Sequence, residues 1–307
     1  MSQRLWIVFV ICGIGTTLSG GCACGPYQFG RGWPDGLASC SPQDAPGQLE
    51  IAEGRPNKFV DSVGWVIGIP GKILLWDRRV NNHCITPETT EAVAQYLQQN
   101  HVNDACLRIN QYAPGEEWVR LTTNREVSAG WRYTLGTLSL VGYTLLPGRL
   151  FGGDRYNPYT NSVYIYSDVP ALGVESAAYA KDVHGREYPG TYAAVNQLPA
   201  VSLWHDTVNT TDALGYLQAT GNQEQQAEGI KILYPYYGAQ MGGAVASVVG
   251  AGILFPIGGA IVGHLSGATQ TSRLPTTPDA GQPAGQPVAT SGDASPTVIA
   301  RDEPGTN

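Results

Sequence analysis

Residues 154–182 read DRYNPYTNSVYIYSDVPALGVESAAYAKD, and the change of pattern inside this stretch decides the fold class. Ser162 to Ser167 (SVYIYS) concentrates β-branched and aromatic side chains, which predicts a strand. Asp168 then supplies a capping side chain and Pro170 a residue suited to a first helical turn, so the chain is expected to pass into a helix through about Asp182.

Working outward, Pro199 opens a further helix over AVSLWHDTVNTTDALGYLQ, and a third is expected from about Asn222 to Leu233. Upstream, Thr86 and Pro87 start a helix that runs to about Asn100. The run from Ala105 to Asn110 alternates as a strand does, and Trp131–Val141 reads as another strand. Strands come first and helices after them. The class is α+β, a small sheet followed by helices, with no internal repeat.

The 307 residues carry 18 Lys and Arg against 25 Asp and Glu, a net charge of −7, with no basic run. A nucleic-acid-binding surface therefore has no electrostatic support. Only 14% of residues are charged, and Gly (39) and Pro (21) are abundant, so much of the chain is expected as loop, linker or glycine-rich apolar segment.

The N-terminus has Arg4, an apolar run Leu5–Ile14 and then Leu18-Ser19-Gly20-Gly21-Cys22. This resembles a bacterial lipoprotein signal, which implies removal of residues 1–21 and acylation of Cys22 at the outer face of a membrane. An ordinary cleaved signal or an uncleaved N-terminal helix leads to the same side, outside the cytoplasm in the cell envelope. Residues 22–56, dense in Gly, Pro, Ser and Asp, read as a tether, and residues 57–237 as the folded domain.

Residues 238–267 hold no Asp, Glu, Lys or Arg, and Met241–Leu265 is long enough for about 30 Å of hydrocarbon. Pro256 leaves three forms open: a kinked span, a helical hairpin lying in the interface, or a segment packed on the domain. Tyr234, Tyr236 and Tyr237 stand where an interfacial aromatic belt would. Membrane contact through Cys22 and residues 241–265 is the expectation. Residues 268–307 read as a disordered tail.

Setting aside Cys12 in the signal and Cys22, the cysteines are Cys24, Cys40, Cys84 and Cys106, with three possible pairings. Cys84 precedes the helix that begins at Pro87 and Cys106 opens the strand after it, which makes a Cys84–Cys106 bridge plausible. Two free cysteines are the alternative.

The 154–182 stretch resembles the edge strand and active-site helix of the zincin fold, in the HExxH metallopeptidase lineage whose third zinc ligand is a downstream glutamate. HExxH chemistry needs two imidazoles one turn apart and a glutamate beside the first as general base. In that frame Val174 stands for the first histidine, Glu175 for the general base, Ala178 for the second histidine and Asp206 for the third ligand. The resemblance spans roughly residues 57–240. It implies a degenerate zincin-like domain, because valine and alanine offer zinc no lone pair. With no metal and no cofactor, it would serve as a binding or scaffold module for an unknown protein or peptide ligand. The plainer reading of GVESAAYAKD is an amphipathic helix with Glu175 at its polar edge. The functional alternative is a hydrolase with a relocated metal site near Glu175, His205 and Asp206. Tyr164 and Tyr166 share one strand face, either as a platform for a peptide or glycan or as core packing.

Overall fold

The computed structural model describes residues 27–30, 49–221, 223–250 and 252–274. The signal segment with Cys22, Cys24 and Cys40, most of the tether and the tail from residue 275 lie outside the described residues.

The protein is mixed α+β. Four strands, β1 (Glu50–Glu53), β2 (Cys106–Ile109), β3 (Arg155–Asn157) and β4 (Ser162–Ile165), form one sheet in the order β1-β2-β4-β3. β1, β2 and β4 run parallel, with Ile51 opposite Leu107 and Leu107 opposite Val163. β3 is antiparallel to β4 and, among the described residues, has no strand on its other side. Parallel neighbours need crossovers. Between β1 and β2 these are α1 (Lys58–Ile67), α2 (Ile69–Leu75) and α3 (Pro87–Gln99). Between β2 and β4 they include α4 (Pro114–Thr123), α5 (Thr137–Leu145) and α6 (Gly148–Phe151).

After the sheet come α7 (Pro170–His184), α8 (Pro189–Val195), α9 (Pro199–Thr220), α10 (Gln223–Val249) and α11 (Leu254–Thr271). Proline occupies the first turn of α3, α7 and α9, where its missing N–H costs nothing.

The strand alternation divides the core. Leu107, Ile109, Val163 and Ile165 face α3 and α7, packing with Val93, Leu97, Leu172 and Val174. Tyr164 and Tyr166 point to the other face, where they join Leu121, Leu140 and Tyr143. Both tyrosines are fully buried, so they are core residues and form no exposed platform. Arg108 shares that face. Its Nε lies 2.5 Å from Glu117 Oε1, and Ser162 and Tyr164 also donate to the Glu117 carboxylate. The pair is closed off from water, with 1% and 0% of the two side chains exposed.

Several expectations are corrected. Trp131–Val141 is helical, a π turn (Arg132–Gly136) leading into α5. Leu140 and Tyr143, three residues apart, both enter the core, and that helical spacing prevails over the period-two coincidence of Leu138 and Leu140. The tether region contributes β1. Tyr27 also packs onto the domain: its hydroxyl meets Asn100 and Asp212 at 3.2 and 3.0 Å and receives Lys181 Nζ at 2.8 Å.

Cys84 and Cys106 are free. His83 is bonded to Asn110 at the far end of β2, four residues beyond Cys106, and four strand residues span roughly 13 Å. That separation exceeds what a disulfide bridges. Burial lifts the Cys106 thiol to about 11.

Met241–Leu265 is no single span. The chain turns between α10 and α11, with Gly250 and Gly252 at positive φ, and forms a helical hairpin. No described helix is long and apolar enough to cross a membrane. Pro256 falls in the first turn of α11, where it is tolerated. Glycines set the closeness of the hairpin: a Cβ on Gly259 would overlap the carbonyl of Gly238, and one on Gly242 the carbonyl of Phe255.

Candidate functional site

Helices α7 and α9 pack against each other behind the sheet, and their contact brings titratable groups together. Glu175 on α7 is buried. Burial first, then the charges of Asp206 and Asp154, push its carboxyl up to about 8. Asp206 on α9 is raised to about 6, mainly by burial, with His205 opposing the rise. Among the described residues no hydrogen bond holds either carboxylate in its charged form. Tyr236 on α10 is raised as well, by burial and then by Glu175, Asp206 and Asp154.

Asp154, just ahead of β3, completes the acidic group. Its Oδ1 accepts the backbone N–H groups of Tyr166 and Ser167 at 2.6 and 3.0 Å. Its Oδ2 is buried without a partner, as are Ser176 Oγ and Asn209 Oδ1. Burial lifts Asp154 to about 6 despite those two amide bonds. Buried carboxyls without partners are uncommon and concentrate at functional sites.

Asp206 opens onto a cleft of about 520 Å³ bounded by β3, α8, α9 and α10. Arg155, Tyr156 and Asn157 of the edge strand β3 form one wall, and Gln240 and Ser247 of α10 stand among the lining residues. The lining is rich in neutral hydrogen-bonding groups.

Of the residues singled out from the sequence, Glu175 and Asp206 come within electrostatic reach of one another. Val174 and Ala178 do not face that cleft as a ligand pair. Both are buried in the apolar core, and Val174 lines a different cavity with Ala171, Tyr216 and Leu217. His205 reaches the cleft, but its ring is held by Asn209 at 3.1 Å, packs on Tyr179 with centroids 4.0 Å apart and lies 3.8 Å from Asp182 Oδ2. Among the described residues, Glu175, His205 and Asp206 do not bring their ligand atoms together around a common point.

Asp154 escaped the sequence reading, and Tyr236, expected in an interfacial aromatic belt, packs instead beside these buried carboxyls. Both lay in stretches already of interest, yet no spacing rule joins a loop carboxylate to a tyrosine on α10.

No protein-family model, no curated protein and no solved structure matches this chain.

Proposed function

We propose that this protein is an extracytoplasmic, membrane-tethered binding module whose cleft beside β3 takes an extended peptide carrying a Lys or Arg side chain. The observation that carries the reading is the Asp206 carboxyl at the cleft wall, buried and raised to about 6. A cationic side chain entering there supplies the missing counter-charge. β3 is the edge strand of the sheet and lines the cleft, the place where an extended segment would pair.

The degenerate zincin-like frame is supported by the mixed sheet with its antiparallel edge strand, by the helix that follows β4, and by Glu175 lying near Asp206. Valine and alanine at 174 and 178 supply no metal ligand, so binding without hydrolysis is the function assigned.

Membrane attachment rests on the lipoprotein-like leader and on the outer face of α11. Leu254, Ile261, Val262 and Leu265 are exposed there, and the stack of Trp76 on His264 continues the apolar face onto α2 with Ile73. Such a face suits a helix lying on lipid. Four residues lie between Cys22 and Tyr27, and the five extended steps reach roughly 18 Å, so an acylated Cys22 would hold the domain close to the bilayer.

The test is selection from a pool of synthetic octapeptides by the detergent-solubilised full chain. Enrichment of Lys- or Arg-containing sequences is the expected outcome, and enrichment of acidic or wholly apolar sequences contradicts the reading.

A second reading, a hydrolase, is favoured by one observation. Glu175 raised to about 8 stays protonated at neutral pH while Asp206, at about 6, is mostly ionised, and such a divided pair suits general acid and base roles. Mass spectrometry of the bound peptides separates the two readings, because cleavage products lost in Glu175→Gln belong to the hydrolase alone.

A further inference from the structure

Away from the cleft, three side chains from separate elements converge at the C-terminal end of α7. His184 closes that helix, Asp104 lies in the loop before β2 and Glu126 in the loop after α4. His184 Nε2 stands 3.1 Å from Asp104 Oδ2 and 2.9 Å from Glu126 Oε2, and the three ligand atoms all lie within 4.8 Å of one another. The imidazole is 1% exposed, whereas the two carboxylates reach solvent.

The ring is oriented from behind. His184 Nδ1 lies 2.7 Å from the Ala180 carbonyl, which can only accept, so Nδ1 carries the proton. Nε2 points at the two carboxylates and donates to them, and a metal ion binding there would take the place of that proton, as in histidines that bind metals.

Outer partners hold the other two ligands. Asn161 Nδ2 donates to Asp104 Oδ2 at 2.9 Å, and Tyr156 OH donates to Asn161 Oδ1 at 3.0 Å. Asn161 keeps a left-handed backbone, φ 51°, which asparagine tolerates better than most residues. The loop bearing Glu126 is tied down by Asn124, which accepts the Glu126 N–H at 3.0 Å and donates to the carbonyls of Pro158 and Tyr159 at 3.0 Å.

We propose that His184, Asp104 and Glu126 form a binding site for one divalent transition-metal ion of the zinc class. One imidazole nitrogen and two carboxylate oxygens are borderline-hard ligands that suit zinc better than the all-oxygen cations magnesium and calcium. The exposed side of the carboxylates leaves room for water or an external ligand to complete the coordination. The ion would tie the end of α7 to the loops before β2 and after α4, bracing the sheet edge that bounds the cleft. The site is distinct from the Val174 and Ala178 positions and does not depend on the peptide-binding reading.

The experiment is a titration of the chelator-treated, untagged full chain in detergent with ZnCl2, followed by calorimetry and by thermal unfolding with and without zinc. The wild type is expected to bind one equivalent that is lost, or weakened at least tenfold, in Glu126→Gln and in His184→Gln. Glu126 is exposed, so Glu126→Gln keeps the test valid if His184→Gln fails to fold. The zinc-dependent rise in Tm should vanish with the same substitutions. Absence of zinc binding by the wild type overturns the proposal, and so does an affinity equal in wild type and Glu126→Gln. Either result would identify the cluster as an imidazolium bridging two carboxylates.

Discussion

Glu175 on α7 and Asp206 on α9 are held close enough for the charge of Asp206 to raise Glu175, in a region where burial already disfavours ionisation and, among the described residues, no hydrogen bond relieves either carboxyl. Folding therefore confines acidic groups that water would have solvated.

Stability should fall as pH rises. A carboxyl raised from the usual value near 4.5 to about 8 binds its proton more tightly folded than unfolded, so its favourable contribution is complete below 4.5 and is lost as pH climbs to 8. Glu175→Gln removes that dependence and should stabilise the protein at pH 8 relative to wild type, on the order of 3 kcal/mol. Urea unfolding at pH 5 and pH 8 checks this: the midpoint difference between the two proteins should appear only at the higher pH.

Arg108 and Glu117 are both inaccessible to water. Truncating one partner leaves the other charge buried and alone, at a cost of about 3–5 kcal/mol. Arg108→Ala should lower the denaturation midpoint accordingly. A change under 1 kcal/mol would mean that water reaches the pair.

The α10–α11 hairpin depends on contact between glycine backbones. Gly259→Val places a side chain where the Gly238 carbonyl already lies, so the helices must part, and overpacking of this kind costs about 1–3 kcal/mol. Limited proteolysis is expected to cut the variant near residue 250 faster than the parent, whereas Gly258→Ala, with open space around it, should leave the rate unchanged.

Ile261 and Leu265 lie on the exposed face of α11, so replacing both by Asp should spare the fold. Flotation with liposomes, performed in the Cys22→Ser background so that acylation plays no part, should show weaker vesicle association in the double variant. Equal flotation would remove α11 from the membrane contact.

The helices that start on proline could be read from the sequence because Pro87, Pro170 and Pro199 announce a first turn wherever the following residues permit one. β1 could not, since its four residues lie in a stretch whose Gly, Pro and Ser content reads as a tether, and it owes its form to pairing with β2; β3 was reached only through the resemblance to an edge strand. The residues from Trp131 to Val141 satisfied both periods, and only the tertiary burial of Leu140 and Tyr143 decides between them. At the site, Glu175 and Asp206 stood out because the zincin resemblance directed attention to them. The actual surroundings of Glu175, with Asp154 from the loop before β3 and Tyr236 from α10, exist only once four elements have packed.

The central claim, that the Asp206 carboxyl of the cleft receives a cationic peptide side chain, is tested most directly by fluorescence anisotropy of a labelled Lys-containing octapeptide titrated with wild type and with Asp206→Asn. Asp206 lines the cleft and is raised to about 6, so wild-type binding should weaken as pH drops from 7 to 5. Asp206→Asn should bind at least tenfold more weakly at pH 7 and lose that pH dependence, a loss of about 1.4 kcal/mol or more. Equal affinity of the two proteins, or tighter binding when the lysine is replaced by norleucine, would contradict the account.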